Sequence, residues 1–369
     1  MADKPNMARF SNEEGKAIFD VLSKHYAIIA PVEKPGKGRF SDTNIVSYEQ
    51  VHSFGEIEFF KKTAFSAKSV LLPIRQTMFS FQDNKPEGSG LPSNKPEGDG
   101  AASDSRSHRQ SHRIEETDDE IRPMIIFLRS CDIHGLKVLD THFLNGSGYH
   151  DFYYRKLREK IKLFLIECEK PFENCFCVSL QTNKTDNWAV FIRKINDRYE
   201  VRVRDEELEA FFPHNAEDVL EPRFVEQDTS PAKIPQDIDV SIFEDDIWKE
   251  YTLRCIACGR CTVACPTCSC FSVQDILSED KTVGGRNRIW SSCQVKKFAL
   301  LAGNHDFRVK EGDRLRYRVL HKIYDFKKRS GINMCVGCGR CDDVCPEYIS
   351  MSKCIEKINR IREVHSLNG

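Results

Sequence analysis

Two stretches of this chain repeat each other at a spacing of 80 residues. The first reads Cys255-Ile-Ala-Cys258-Gly-Arg-Cys261-Thr-Val-Ala-Cys265-Pro266. The second reads Cys335-Val-Gly-Cys338-Gly-Arg-Cys341-Asp-Asp-Val-Cys345-Pro346. Each is C-x2-C-x2-C-x3-C-P, the run that wraps a cubane iron–sulfur cluster in bacterial two-cluster ferredoxins, where the fourth Cys of each run ligates the other cluster. The expected sets are Cys255, Cys258, Cys261 and Cys345 for cluster one, and Cys335, Cys338, Cys341 and Cys265 for cluster two. Three thiolates within seven residues serve three irons of one cluster, and the fourth iron needs a ligand from elsewhere. Gly259 and Gly339 permit close backbone approach to the sulfurs. Structural zinc needs only two separated Cys pairs, so a third Cys and a C-P after each pair are surplus to it.

The chain has 16 Cys in 369 residues, and twelve of them lie between Cys255 and Cys354. No apolar leader is visible over Met1–Phe10, so a disulfide framework explains the count poorly and metal explains it well. Lys and Arg number 55 against 56 Asp and Glu, a net charge of −1. That balance argues against a nucleic-acid partner. No apolar run approaches a membrane span, and a cytoplasmic protein is expected.

The remaining cysteines have two readings each. Cys268, Cys270 and Cys293 make a tentative third cluster with a fourth ligand unassigned, or they are buried structural thiols, as Cys354 is expected to be. Cys131 follows the expected strand Met124–Ser130, with Asp132 as the N-cap of a helix over Ile133–Leu139. There Cys131 is either a low-pKa thiol at a helix N-terminus or a buried one, and the second reading is preferred. Cys175-Phe-Cys177 is a metal edge or simple packing.

The fold expected is a mixed α/β N-terminal domain followed by a mainly helical, two-cluster ferredoxin-like 4Fe-4S domain. Residues 1–220 form the first, 221–245 a Pro-rich linker, and 246–369 the second. Ser11 and Glu14 form a capping box for a helix over 11–25. Strands are expected at Ala27–Val32, Ser69–Pro73, Met78–Phe81, Met124–Leu128, Leu163–Ile166, Trp188–Ile195 and Tyr199–Val203, with Asn196-Asp197 turning between the last two. Helices are expected over Ile133–Phe143 and Tyr153–Lys160. The polar stretch 84–120, in which Asn-Lys-Pro-Glu-Gly occurs twice, reads as a disordered insertion. Residues 310–329 carry eight Lys and Arg, read as a solvated helix face or a docking surface for an acidic partner. There is no G-x-G-x-x-G after a strand, no phosphate-binding loop, and no separate siroheme-type cysteine pattern. The motifs provide for electron transfer without a catalytic centre.

Residues Cys265–Cys270, Trp290-Ser-Ser-Cys293 and Arg314-Leu-Arg-Tyr-Arg318 resemble the iron–sulfur electron-transfer component of anaerobic sulfite reductases. So do Gly38–Thr43, Arg129-Ser-Cys131-Asp132, Glu173-Asn-Cys175-Phe-Cys177-Val-Ser179 and Thr182–Asp186, and the likeness covers the chain except 84–120. The resemblance implies a relay that connects two partners, with no catalysis by this chain alone. One partner would be a flavin- and NADH-linked reductase subunit. The other would be a siroheme subunit that reduces sulfite to sulfide. The beta subunit of sulfhydrogenases shares the layout and is the alternative. A zinc-stabilised interaction module is the alternative of another class.

Overall fold

The computed structural model describes residues 6–83, 112–116, 120–146, 148–218 and 220–368. The strands are β1 Asn6–Ser11, β2 Ala27–Lys34, β3 Ile45–Gln50, β4 Arg75–Asp83, β5 His112–Glu116, β6 Met124–Leu128, β7 Ile161–Ile166, β8 Val190–Ile195, β9 Arg198–Val203, β10 Phe271–Leu277 and β11 Val283–Trp290. The helices are α1 Asn12–His25, α2 Lys68–Leu71, α3 Ser130–Leu144, α4 Phe152–Arg158, α5 Glu206–Glu209, α6 Ile247–Arg254, α7 Arg260–Ala264, α8 Glu311–Leu320, α9 Phe326–Ser330, α10 Arg340–Asp343 and α11 Met351–Asn368.

The chain divides into two compact units. The larger comprises Met1–Leu72, Ile121–Cys270 and Ser291–Gly369. Its seven-stranded sheet runs β1-β9-β8-β7-β6-β2-β3. The four central strands, β8, β7, β6 and β2, are parallel, and the pairs toward both edges are antiparallel. β6 and β7 are apolar along almost their whole length and buried, as strands covered on both faces must be. β9 instead alternates, with Tyr199, Val201 and Val203 turned into the core. Helix α1 supplies Phe19 and Leu22 to that core. It starts at Ser11, whose hydroxyl accepts from Glu14 N at 3.3 Å, while Glu14 Oε2 accepts from Ser11 N at 2.7 Å, so the expected capping box is formed. A second core joins α6, α8 and α11 through Trp248, Tyr251, Leu315, Val319, Ile355 and Ile358.

The smaller unit comprises Pro73–Glu120 and Phe271–Trp290. It is an antiparallel sheet of order β10-β11-β4-β5, and it draws two strands from the segment between the cysteine runs. The region 246–369 therefore combines helices with strands.

Several expectations need correction. Lys68–Leu71 is a helical turn where a strand over Ser69–Pro73 was expected, because Leu72 N bonds back to Lys68 O at 2.7 Å. Within the expected insertion 84–120, His112–Glu116 is strand β5, paired from Phe79↔Glu116 to Asp83↔His112. Residues 84–111 and 117–119 lie outside the described residues. Asp132 does not cap α3: the N-cap is Arg129, and the Asp132 carboxylate is engaged elsewhere. Residues 221–245 are tied into the larger unit. Asp228 accepts from the Val178 and Ser179 amides at 2.8 and 2.7 Å, and Ile238 and Ile242 are buried in the second core.

Candidate iron–sulfur centre

Each cysteine run folds the same way locally. Gly259 and Gly339 both take left-handed backbone angles, φ +75° and +70°, as N-caps of the short helices α7 and α10. Two Cys of each run precede that helical turn, and the third, Cys261 or Cys341, is its second residue. The fourth Cys of each run follows that turn.

Cys255, Cys258, Cys261 and Cys345 line one cavity, whose wall also includes Leu315, Arg318, Val319, Met351 and the further cysteines Cys341 and Cys354. The first four are the residues expected around cluster one, three from the first run and one from the second. In the other set, Cys265 interacts electrostatically with Cys335, Cys338 and Cys341. Among the described residues, no three His, Cys, Asp or Glu side chains converge tightly enough to hold a single metal ion. A ring of four thiols around an open cavity is what a cluster of several irons and sulfides requires, so the residues fit an iron–sulfur group.

The two runs differ sharply in exposure despite their common Cys-Gly-Arg. Ile256, Cys258 and Arg260 are exposed, whereas every residue from Cys335 to Arg340 is buried. The cause is the α/β part of the same unit. Gly337 lies against Phe176, where an added Cβ would fall 2.4 Å from the Phe176 carbonyl oxygen. Phe176 N donates to Gly337 O at 2.8 Å, and Thr182 Oγ1 donates to Val336 O at 2.8 Å. On α3, Gly135 faces Pro266, and an added Cβ would meet Pro266 Cβ at 2.9 Å. The motif over Glu173–Ser179 thus forms the floor on which the second run rests.

Buried cations surround the thiols. Arg318 has 5% of its surface exposed, and Nη2 donates to Cys261 O at 3.4 Å. Its Nε is buried with no hydrogen-bond partner among the described residues. Its charge acts on Cys261, Cys341 and Cys265, members of both expected sets, and on Cys268. Lys322 is 2% exposed and donates to Thr267 Oγ1 at 2.8 Å, beside Cys265. Lys68 Nζ donates to Thr262 O and Cys268 O at 2.7 and 3.0 Å. A cluster with four thiolates is anionic, and these cations offset its charge in a low-dielectric interior. The hydrogen bond with Cys268 holds the Cys265 thiol well below its usual range against the effect of burial, with Lys322 and Arg318 adding to the shift. Burial pushes Cys335 up to about 12, with Lys322 opposing.

Arg314, Arg318 and Lys322 stand at i, i+4 and i+8 on the segment expected to be a solvated face or a docking surface. All three are buried, next to the buried line Leu315, Val319 and Ile323. Arg314 is held by the carbonyls of Gln294, Arg308 and Val309 and by Glu311. The segment changes to a π-helical turn over His321–Asp325, where the Lys322 carbonyl accepts from Met334 N at 2.9 Å and Cys335 N at 3.0 Å. Such turns recur at functional sites. The sequence signal that could have found these residues is a cationic stripe in phase with an apolar one.

Of the tentative third set, Cys270 hydrogen-bonds Cys293, whereas Cys268 hydrogen-bonds Cys265. Cys354 is buried, and its thiol donates to Tyr251 Oη at 3.3 Å. Cys131 is half-buried, and loss of solvent pushes its thiol well up.

Comparison with known proteins agrees with this chemistry. A 4Fe-4S dicluster domain family matches residues 254–349, and a second family of the same description matches residues 222–268. The chain is 34% identical over 265 residues to sulfhydrogenase 2 subunit beta of Pyrococcus furiosus, covering 68% of this chain and 78% of that protein. No solved structure matches the chain. The dicluster matches bear out two 4Fe-4S clusters. The relative bears the name of the alternative reading, and the sulfite-reductase likeness rests on the quoted motifs alone. Among the described residues, no helix is long and apolar enough to cross a membrane.

Proposed function

The chain is an iron–sulfur electron-transfer protein of the sulfhydrogenase beta-subunit family, and from that premise we propose that it is the relay subunit of a larger oxidoreductase. In this reading Cys255, Cys258, Cys261 and Cys345 hold cluster one, and Cys335, Cys338, Cys341 and Cys265 hold cluster two. Cys268, Cys270 and Cys293 serve as structural thiols, the first and last buried and Cys270 half-buried. Electrons enter from a partner that is flavin- and NADH-linked, then leave to a catalytic partner. The observation that carries the reading is the contrast in exposure. One thiol set opens to the surface beside exposed Leu253, Ile256 and Tyr348, while in the other Cys265, Cys335 and Cys338 are buried and Cys341 is half-buried. A port next to an interior site is the arrangement of a wire, and an exposed apolar rim suits a partner subunit.

The catalytic partner is of the hydrogenase kind, a reading supported by the 34% identity to a sulfhydrogenase beta subunit. The second reading, a siroheme subunit reducing sulfite to sulfide, draws support from Arg129–Asp132, Glu173–Ser179 and Trp290–Cys293. Anaerobic co-purification separates the two by the metal content of the partner, nickel and iron against siroheme. In either case the isolated chain, reduced by a strong dye, should evolve no hydrogen and release no sulfide. Turnover by the isolated chain would overturn the relay.

A further inference from the structure

The four cysteines that precede the cluster region come together in the fold. β6 and β7 are adjacent parallel strands, with Leu128 paired to Leu165. Cys131 and Cys168 each lie three residues beyond that pair, so both stand at the C-terminal edge of the sheet. Open α/β sheets take their ligands outside that edge. The β7–β8 loop then brings back Cys175 and Cys177, both buried. Cys177 lies within electrostatic reach of Cys131, Cys168 and Cys175, and Cys175 within reach of Cys168.

A second observation points to a ligand there. Arg129, 3% exposed, uses Nη2 to donate to Phe59 O and Lys61 O, each at 2.9 Å. Its Nε and Nη1 are buried and have no hydrogen-bond partner among the described residues. Its charge acts on Cys168. The neighbouring carboxylate, Asp132, is taken up by Arg340. A buried guanidinium with two orphan donors, within reach of Cys168 and two residues before Cys131, calls for an anionic acceptor.

We propose that Cys131, Cys168, Cys175 and Cys177 hold a third iron–sulfur cluster of the 4Fe-4S class, with Arg129 donating to its sulfur atoms. Four thiolates complete the ligation of a cubane, and N–H donors to sulfur are a standard means of setting its potential. A single zinc ion would require the four sulfurs about 2.3 Å from one point, and no three donors converge so closely among the described residues. The site adjoins the second ferredoxin-type loop: Cys175 Sγ is 3.6 Å from Cys338 O, and Cys131 packs against the buried cluster that contains Val336 and Cys338. One electron passes from one cluster to the other, and no proton or further reactant is needed. This extends the wire from the interior cluster to the ligand-binding edge of the sheet.

Iron and acid-labile sulfide in the anaerobically reconstituted full-length chain provide the test. The expected content is about twelve irons per chain, against about eight for two clusters alone. Cys168→Ala and Cys177→Ser should each lower it to about eight and keep both ferredoxin-type signals in electron paramagnetic resonance. Cys270→Ala should leave it at about twelve. The wild-type count needs no variant to fold. A wild-type count of about eight, variants that keep the full count, or zinc in place of the third cluster would overturn the proposal.

Discussion

Arg340 forms a two-pronged ion pair with Asp132, Nη1 to Oδ1 at 2.6 Å and Nη2 to Oδ2 at 2.9 Å, with each side chain only 2% exposed. Nε and Nη2 also donate to Thr63, at 3.0 Å to its carbonyl and at 3.1 and 2.8 Å to its hydroxyl. The pair locks the second Cys-Gly-Arg to the start of α3. The Arg of the first copy, Arg260, is exposed. Breaking a buried pair strands a charge and costs about 3–5 kcal/mol, whereas a surface change costs about 0.5 kcal/mol or less. Asp132→Ala and Arg340→Ala should therefore destabilise the chain strongly, and Arg260→Ala hardly at all. Anaerobic urea unfolding followed by tryptophan fluorescence checks this. Equal effects at Arg260 and Arg340 would contradict the asymmetry.

Arg318 and Lys322 should set the reduction potentials. A buried cation favours the more negative, reduced cluster, so its removal lowers the potential. The shift should be about 50–100 mV for one charge near a cluster, taking an effective dielectric of about 20. Lys322 acts on Cys265 and Cys335, and Arg318 on members of both expected sets. Lys322→Met should lower the proposed cluster two alone, and Arg318→Gln both. Potentiometric titration read by electron paramagnetic resonance distinguishes them, with Lys322→Arg as the charge-preserving control. Unmoved potentials at full iron content would remove the electrostatic role.

His321 gives the chain a pH-dependent component of stability. Burial, then the charges of Lys322 and Arg329, push its ring down to about 4. The unfolded ring titrates near 6.5. Between those values the unfolded chain binds a proton that the native chain does not, so native stability is complete above about pH 6.5 and falls as the pH drops toward 4. The loss should be about 1–2 kcal/mol after allowance for the ring's exposed edge. His321→Phe keeps the stack on Phe326, 6.4 Å between centroids at 19°, and removes the titration. Urea midpoints at pH 7 and pH 5 should then differ less in the variant. The same difference in both proteins would assign the acid sensitivity to other groups.

Much of this was legible because it is local. The spacing of the cysteines, the Ser11–Glu14 box and the apolar runs of β6 and β7 are all written within a dozen residues. What escaped depends on partners far along the chain. β11 is Gly-rich, with Gly284 and Gly285, and pairs with β4 some two hundred residues earlier. The two Arg in Cys-Gly-Arg are identical as sequence, and the Asp132 and Thr63 contacts of Arg340 separate them. Asp132 looks like an N-cap because caps and buried ion pairs use the same side chain. Lys322 reads as surface charge until its helix face proves to be the inner one.

The close approach of Phe176 to the second run gives a last, purely steric prediction. Gly337 has φ +62°, and an added Cβ would stand 2.4 Å from the Phe176 carbonyl oxygen and 2.6 Å from Cys177 N. Both are backbone atoms, and the hydrogen bond from Phe176 N to Gly337 O holds them in place. Gly331 has φ +76°, with none of the described residues within 4 Å of the added atom. Gly331→Ala should cost only the left-handed strain, about 1–2 kcal/mol, and keep the iron. Gly337→Ala adds a clash that neither backbone can relieve. It should part the second run from Glu173–Ser179 and lower iron content by about one cluster or more. Iron per chain and the urea midpoint, measured on both variants, check the contrast. A Gly337→Ala protein with the iron and midpoint of Gly331→Ala would mean that the two segments can separate without loss of the centre.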